Sequence, residues 1–496
     1  MPQALSDTDF HSALRRLRIL EQAEPPTRSR GPEKLAGILA LLESLGNPHQ
    51  GLRVVHVAGT NGKGMTAFMI EALLRHSGAS TGLYTSPHLV HVRERIRLDG
   101  VPLAPGPFSG AAHLVLDHAQ ALEGGIVLSY FDVLTAIAFQ TFRDARVDWT
   151  VLEVGLGGAS DATNVVEKEL AVITRIGLDH QHILGDDLQS IATQKLGILQ
   201  PGVPLVLAPQ QPELDQWMTS QAKAMGCKVY PVPTPEEITG FGTDQPESTV
   251  LEINTMEPAE TGNEIVQDTL VPRDWVTRPR LQCAATAKVA MEVLFDRPAR
   301  RLSFSGPKCR SRSFLLGDAA EAIALRTVVP GRLDLRENVV SPLGHTINTL
   351  LLDGAHNADA LEVLVEQMEL WGLRGVTLIL SLQSDKLTIP VGRVLARLLK
   401  MAELLVLPRS AQPRTATPEK LISYLEELLP EGSPPCEVVH GIVEALDVAA
   451  QTPQRPCVAT GSLWMVGGLL GVLESGDLAN AETSPESLGL VEKINP

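Results

Sequence analysis

Val54-Val55-His56-Val57-Ala58-Gly59-Thr60-Asn61-Gly62-Lys63-Gly64 decides how the rest of the chain is read. A run rich in β-branched residues enters a glycine-rich turn that presents one lysine, and a helical pattern over 66–75 follows. Glycines let successive backbone N–H groups turn inward on a phosphate chain, and the helix N-terminus behind them adds positive potential. A lysine at that point reaches the outer phosphates of a nucleotide. An ordinary strand-to-helix connection is the plainer alternative. The strand–loop–helix context favours a nucleoside triphosphate site with Gly59, Thr60, Asn61, Gly62, Lys63 and Gly64 as its loop. One feature departs from the usual form. Ser or Thr normally follows the lysine directly and offers a hydroxyl to magnesium, whereas here Gly64 and Met65 intervene before Thr66. A thioether is no ligand for a hard cation, so the magnesium ligands must come from other segments.

Outward from this turn, short apolar runs alternate with helical spacing. Residues 53–57, 81–84, 149–154, 170–175 and 203–207 read as strands, and 65–76, 129–145 and 188–199 as helices. Near-continuous apolar strands separated by helices indicate a parallel sheet covered on both faces. Ligands on such sheets bind beyond the carboxyl ends of the strands. Ser86, Glu153 and His180 each fall at or just after such an end, so the pattern alone points to one shared site.

The polar, Pro-rich and acidic stretch 230–278 reads as peripheral strands and loops, followed by a helix over 284–294. The basic segment 297–314 reads as a solvated connection. A second α/β pattern starts near Arg326: strands at 349–352, 376–381, 404–407 and 456–460, and helices at 358–371, 391–401, 418–429 and 441–450. The last twenty residues read as a flexible tail.

A chain of 496 residues exceeds one ordinary core, so two domains are expected. Hydrophobic content of 44% and charged content of 20% describe a globular protein. The net charge of −16 argues against nucleic acid or an anionic membrane as partner, since both need a basic footprint. The five scattered cysteines form no close pair, which points to reduced thiols and a cytoplasmic location. The start of the chain carries no apolar core of signal-peptide length. The apolar stretch 458–473 is broken by four glycines and is too short to span a bilayer.

The loop Gly59-Thr60-Asn61-Gly62-Lys63-Gly64 resembles that of the folylpolyglutamate synthase/dihydrofolate synthase family, a branch of the Mur-ligase superfamily. The likeness continues in family order through Thr85-Ser86-Pro87-His88, Glu153-Val154-Gly155-Leu156-Gly157-Gly158 and Asp161-Ala162-Thr163-Asn164. It runs on through Gly177-Leu178-Asp179-His180, Lys195-Leu196-Gly197, Pro330-Gly331-Arg332, Asp353-Gly354-Ala355-His356-Asn357, Asp385-Lys386 and Thr460-Gly461-Ser462-Leu463. The series spans about residue 35 to residue 475. The resemblance implies an N-terminal P-loop Mur-ligase-like ATPase domain with a parallel sheet over 1–325. A smaller Rossmann-like C-terminal α/β domain over 326–480 and a tail at 481–496 complete it.

An ATP-driven amide ligase must bind MgATP, phosphorylate a carboxylate and hold an amine for attack, while cations offset the repulsion between carboxylate and triphosphate. By the resemblance, Ser86, Glu153 and His180 bind magnesium, and Lys195 is carbamylated to assist them. Arg332 and Asp353 contact ATP, and Lys63, Lys195 and His356 take catalytic roles. Ser129, Asp161 and Ala162 hold dihydropteroate. Taken singly, a strand-end Glu reads as a capping carboxylate, a His after Asp as structural, and a lysine near a helix end as a dipole-favoured surface group. Their joint occurrence with the phosphate loop favours the functional reading.

The expected activity is addition of L-glutamate to dihydropteroate or (tetrahydro)folate, with Mg2+ as cofactor, ATP as substrate and the protein acting as a monomer. Four positions depart from the family pattern. Met65 replaces a Ser, Ala159-Ser160 replaces Arg-Leu, and Cys283 replaces an Asn near ATP. They motivate two alternatives: a non-catalytic nucleotide- or folate-binding paralogue, and the same chemistry on a different carboxylic acid.

Overall fold

The computed structural model describes residues 7–22, 32–122, 126–234, 277–295, 323–324, 327–428 and 433–475. The basic stretch 297–314, most of 230–278 and the tail lie outside them. Two compact units result: Met1–Pro87 with Arg93–Thr327, and His88–Val92 with Val328–Pro496.

β-Branched side chains fit a pleated surface better than a helix, and Val54–Ala58 accordingly forms β1 with every residue buried. The first unit adds β2 (Thr81–Tyr84), β3 (Ile96–Leu98), β4 (Val101–Pro102), β5 (Trp149–Glu153), β6 (Leu170–Ile173), β7 (Leu205–Leu207) and β8 (Val229–Pro231). They form one sheet in the order β4-β3-β2-β5-β1-β6-β7-β8. From β2 to β8 all pairs are parallel, and β3 and β4 close the other edge antiparallel. That edge departs from the all-parallel expectation: its two short strands carry no apolar run to signal them. Register places Glu153 opposite Val57, and Ile173 opposite Ala58, so three strands end around the glycine loop.

Helices α1 (Asp7–Gln22), α2 (Ala36–Ser44), α3 (Lys63–His76), α4 (Pro105–Ala121) and α5 (Tyr130–Ala145) precede α6 (Gln181–Leu184), α7 (Leu188–Leu196), α8 (Pro212–Ala224) and α9 (Arg278–Phe295). Alternation along the strands separates the two faces. Val55, Val57, Val151 and Val172 pack with Ile70 and Leu73 of α3 and Ala287 and Met291 of α9. Ala58, Ala171 and Ile173 pack with Ile191 of α7 and Met218 of α8. α1, α2, α4 and α8 lie outside the helices read from periodicity. α4 and α8 each start on a proline, which breaks a sequence pattern yet suits the first helical turn, where its missing N–H has no partner to lose. α9 begins at Arg278, six residues ahead of the expected start.

In the second unit, β9 (Asp334–Val340), β10 (Thr346–Asp353), β11 (Val376–Leu380), β12 (Ala402–Pro408), β13 (Cys436–Val439) and β14 (Cys457–Thr460) take the order β13-β12-β11-β14-β10-β9. All pairs are parallel except β9 with β10. α10 (Ala358–Leu370), α11 (Ile389–Leu399) and α12 (Pro418–Leu428) cover one face, and α13 (Ile442–Ala450) and α14 (Leu463–Ser475) the other. β9 escapes the pattern because it is an edge strand carrying Asp334, Arg336 and Glu337 with no residue buried. Leu89 and Val90, far away in sequence, pack into the α13–α14 side.

On the first sheet, Gly82 of β2 lies under the Phe142 ring of α5, where an added Cβ would stand 2.5 Å from a ring carbon. Gly82→Val is expected to lower stability by about 1–3 kcal/mol through overpacking, read as a reduced urea midpoint with unchanged slope.

Candidate active site

The glycine loop is built by exclusion of side chains. Gly59 adopts φ +145°, and a Cβ there would overlap Thr174 Oγ1. Gly62 adopts φ +86°, with a Cβ position only 3.0 Å from Cys283 Sγ. The N–H groups of Thr60 and Asn61 donate to Arg175 O at 2.9 and 3.3 Å, and Thr60 Oγ1 donates to Gly177 O at 3.1 Å. Lys63, the first residue of α3, arches back to donate from Nζ to Thr60 O at 3.1 Å. An ammonium is thus held over the mouth of a loop at a helix N-terminus, a place suited to phosphate.

The missing hydroxyl after Lys63 has a structural counterpart. A Cβ on Gly64 would lie 3.4 Å from Glu153 Oε2, so the carboxylate stands beside the position from which Ser or Thr usually acts. Glu153, at the end of β5, also accepts the Ser86 N–H at 2.9 Å. Met65 turns away and packs against the α3–α9 cluster, and Thr66 is fully buried. Cys283 meets the loop from α9, its Sγ 3.7 Å from Gly62 O. Burial pushes this thiol up to about 11, so it remains an S–H donor. His180 follows β6 in the left-handed region (φ 50°) at the start of α6, with Asp179 Oδ1 accepting its N–H at 2.8 Å. Among the described residues no three His, Cys, Asp or Glu side chains converge on one point. A divalent ion held by Glu153 or His180 would therefore complete its shell with hydroxyl, phosphate or water oxygens, which suits a hard cation.

Lys195 lies in the last turn of α7 and is 4% exposed. Its Nζ donates to Gly59 O at 2.6 Å. Burial, and after it the Lys63 charge, lowers this ammonium to about 7. The loop after β5 docks beside it: Ala159 N donates to Gln194 O, and Asn164 Nδ2 donates to both Ala159 O and Gly197 O. Asp161 is a clasp within that loop. Its Oδ2 accepts Leu156 N at 2.9 Å, and its Oδ1 accepts Thr163 N at 3.0 Å. Ala162 beside it is buried. Ser129, read as the first residue of a helix, is the N-cap of α5. Its hydroxyl accepts Asp132 N and donates to Asp132 Oδ2, which in turn accepts the Ser129 N–H.

In the second unit Arg332, Asp353 and His356 gather at the end of β10. Asp353 accepts Leu333 N at 2.7 Å and Ala355 N at 2.8 Å, fastening the Pro330-Gly331-Arg332 turn to the following loop. Burial raises its carboxyl, while the Arg332 guanidinium and these two N–H groups oppose that. His356 Nδ1 donates to Gly354 O at 2.8 Å, because a carbonyl only accepts. A cleft beyond β11, β12 and β14 is lined by Ser381, Arg409, Gln412, Thr415, Ser462 and Trp464. Ser381, Arg409, Gln412 and Trp464 were not singled out from sequence, although Ser381 and Arg409 directly follow strand ends and obey the rule that located Ser86 and Glu153.

The dihydrofolate synthase/folylpolyglutamate synthase of Bacillus subtilis is 30% identical to this chain over 390 residues, covering 78% of the chain and 83% of that protein. The chain belongs to the dihydrofolate synthase/folylpolyglutamate synthase family. It is an ATP-dependent glutamate ligase of two α/β units. Among solved structures, E. coli FolC in complex with DHPP and ADP superposes with a TM-score of 0.69 at 26% identity, over 96% of this chain and 99% of that one. The Yersinia pestis bifunctional folylpolyglutamate synthase/dihydrofolate synthase complexed with AMPPNP and Mn ion gives 0.69 at 27%, over 96% and 100%. No protein-family model matches the chain.

For this ligase, Glu153→Gln keeps the hydrogen-bonding shape and removes the charge beside Gly64. It is expected to weaken Mn2+ binding in the presence of AMPPNP by about tenfold or more, measured by electron paramagnetic resonance.

Proposed function

We propose that the enzyme joins L-glutamate to dihydropteroate, to (tetrahydro)folate or to both, converting ATP to ADP and phosphate through an acyl phosphate. The observation that carries this reading is the juxtaposition of Lys63 over the glycine loop with the Glu153 carboxylate beside Gly64. In the first step a carboxylate oxygen of the acceptor attacks the γ-phosphoryl group and ADP leaves. Lys63 and the loop amides hold the phosphates and offset charge as it develops. Ser86, Glu153 and His180 would hold Mg2+, which would supply further neutralisation of the triphosphate. The loop of Asp161 and Ala162 and the capped start of α5 at Ser129 line the acceptor side.

In the second step the glutamate amine attacks the acyl carbon, phosphate departs and an amide forms. The amine arrives as an ammonium and must lose a proton first. In this reading His356, whose Nδ1 donates to Gly354 O, takes that proton. The cleft of the second unit offers glutamate the hydroxyls of Ser381 and Ser462 and the guanidinium of Arg409, which is ion-paired with Glu419 at 2.5 Å and has further N–H donors for a second carboxylate. Arg332 and Asp353 are assigned to ATP in this reading. Among the described residues, Cys227, Cys283, Cys436 and Cys457 are free thiols and no helix is long and apolar enough to cross a membrane. The free thiols fit the reducing cytoplasm.

Carbamylation of Lys195 accompanies this reading. The neutral amine attacks CO2, a C–N bond forms, and one proton leaves. With the ammonium lowered to about 7, the group is mostly charged at about pH 6 and mostly neutral at about pH 8, so uptake rises with pH across that window. Protein equilibrated with 13C-bicarbonate is expected to show a carbamate resonance that grows over this range and is missing from Lys195→Met. The substrate reading itself is tested by ADP release with MgATP, L-glutamate and either acceptor, with mass detection of product. A gain of one glutamyl residue per ADP is expected; tight ATP binding without an adduct from either acceptor overturns the assignment.

A further inference from the structure

His56 sits in the middle of β1, fully buried, directly opposite Ala171 of β6. An imidazole in an otherwise apolar strand costs free energy unless its nitrogens are used. Its Nε2 lies 2.8 Å from Thr163 Oγ1, and Thr163 Oγ1 lies 2.5 Å from Asp161 Oδ1. The proton positions follow from the end of this chain. A carboxylate only accepts, so the Thr163 hydroxyl donates to Asp161 and its lone pair takes the N–H of His56. The ring is therefore the Nε2–H tautomer. Its Nδ1 has no hydrogen-bond partner among the described residues, as a neutral ring with an unprotonated Nδ1 permits. Burial, and after it the Lys168 charge, opposes protonation. Asp161 in turn holds Leu156, within the Gly155-Leu156-Gly157-Gly158 turn that follows Glu153. Three residues beyond His56 stands Gly59, so the chain of donors links the strand entering the phosphate loop to the turn behind Glu153.

We infer that His56 is a positioning residue for the acceptor side of the site: by donating to Thr163 it commits that hydroxyl to Asp161, and through Asp161 it fixes the loop of residues 155–161. The kinetic test rests on the reading of that loop as acceptor-binding. His56→Phe retains a ring without the donor, His56→Gln returns an amide N–H near the place of Nε2, and Thr163→Val removes the relay hydroxyl.

His56→Phe and Thr163→Val are each expected to raise KM for the pteridine acceptor about fivefold to tenfold, as for loss of one or two buried hydrogen bonds. KM for ATP stays within about twofold, and the double variant is no worse than the worse single one within the same margin. His56→Gln recovers most of the loss. An equal rise in both KM values, no rise at all, or a Gln variant matching Phe overturns the inference. A second readout is independent of turnover. Nitrogen-15 spectra of histidine-labelled full-length protein at neutral pH are expected to show His56 as the Nε2–H tautomer, with that proton shifting in Thr163→Val. An Nδ1–H tautomer or an imidazolium overturns the relay. If the wild type turns over neither acceptor, the substrate reading fails while the spectra still decide the relay.

Discussion

Everything at this site hangs on the backbone of Gly59. Its Cα is pressed against Thr174, its carbonyl receives the Lys195 ammonium, and the two N–H groups after it are drawn to Arg175 O. No L side chain fits there, because the space is filled and the φ of +145° lies outside what a Cβ tolerates. This contact brings the ends of β1 and β6 together and sets the direction in which the loop's later N–H groups and Lys63 face. Lys195 is drawn into the same contact, and the burial that lowers its ammonium follows from that position.

The departures from the family pattern are absorbed by packing. Met65 packs against the α3–α9 cluster, and the Glu153 carboxylate stands beside the place left open by Gly64. A side chain at 64 would crowd that carboxylate, so the glycine and the glutamate belong to one arrangement. Cys283 offers a weaker donor than an amide, yet its sulfur still fills the space under Gly62. Ala159 removes a charge from a loop that is otherwise densely bonded to the end of α7 through Asn164.

Electrostatics and hydrogen bonding act together in that loop. The Asp161 carboxylate is buried but accepts three donors, Leu156 N, Thr163 N and Thr163 Oγ1, which offsets the cost of burying a charge. Asp353 repeats the device in the second unit with Leu333 N and Ala355 N. In both units, then, an aspartate signature residue sets the shape of a turn.

Strand-rich apolar runs and the glycine loop fixed the parallel centre of the first sheet and placed Ser86, Glu153 and His180 at strand ends, because local steric preference and period-two patterning are properties of short segments. The second sheet was legible for the same reason from β10 to β14, apart from β13. The edge strands β4, β9 and β13, and β3 beside β4, were not, since a half-exposed strand needs no apolar run. Nor were α4 and α8, whose opening prolines look like breaks until their place in the first turn is known. Which atoms meet was decided only by tertiary structure. Lys195 reaches Gly59 across 136 residues of sequence, and His56 reaches Thr163 across 107. Ser129 caps a helix, and Arg409 lines a cleft with Ser462. Such contacts depend on the order in which strands pair, and strand order follows from how whole faces bury one another, a quantity no short segment carries.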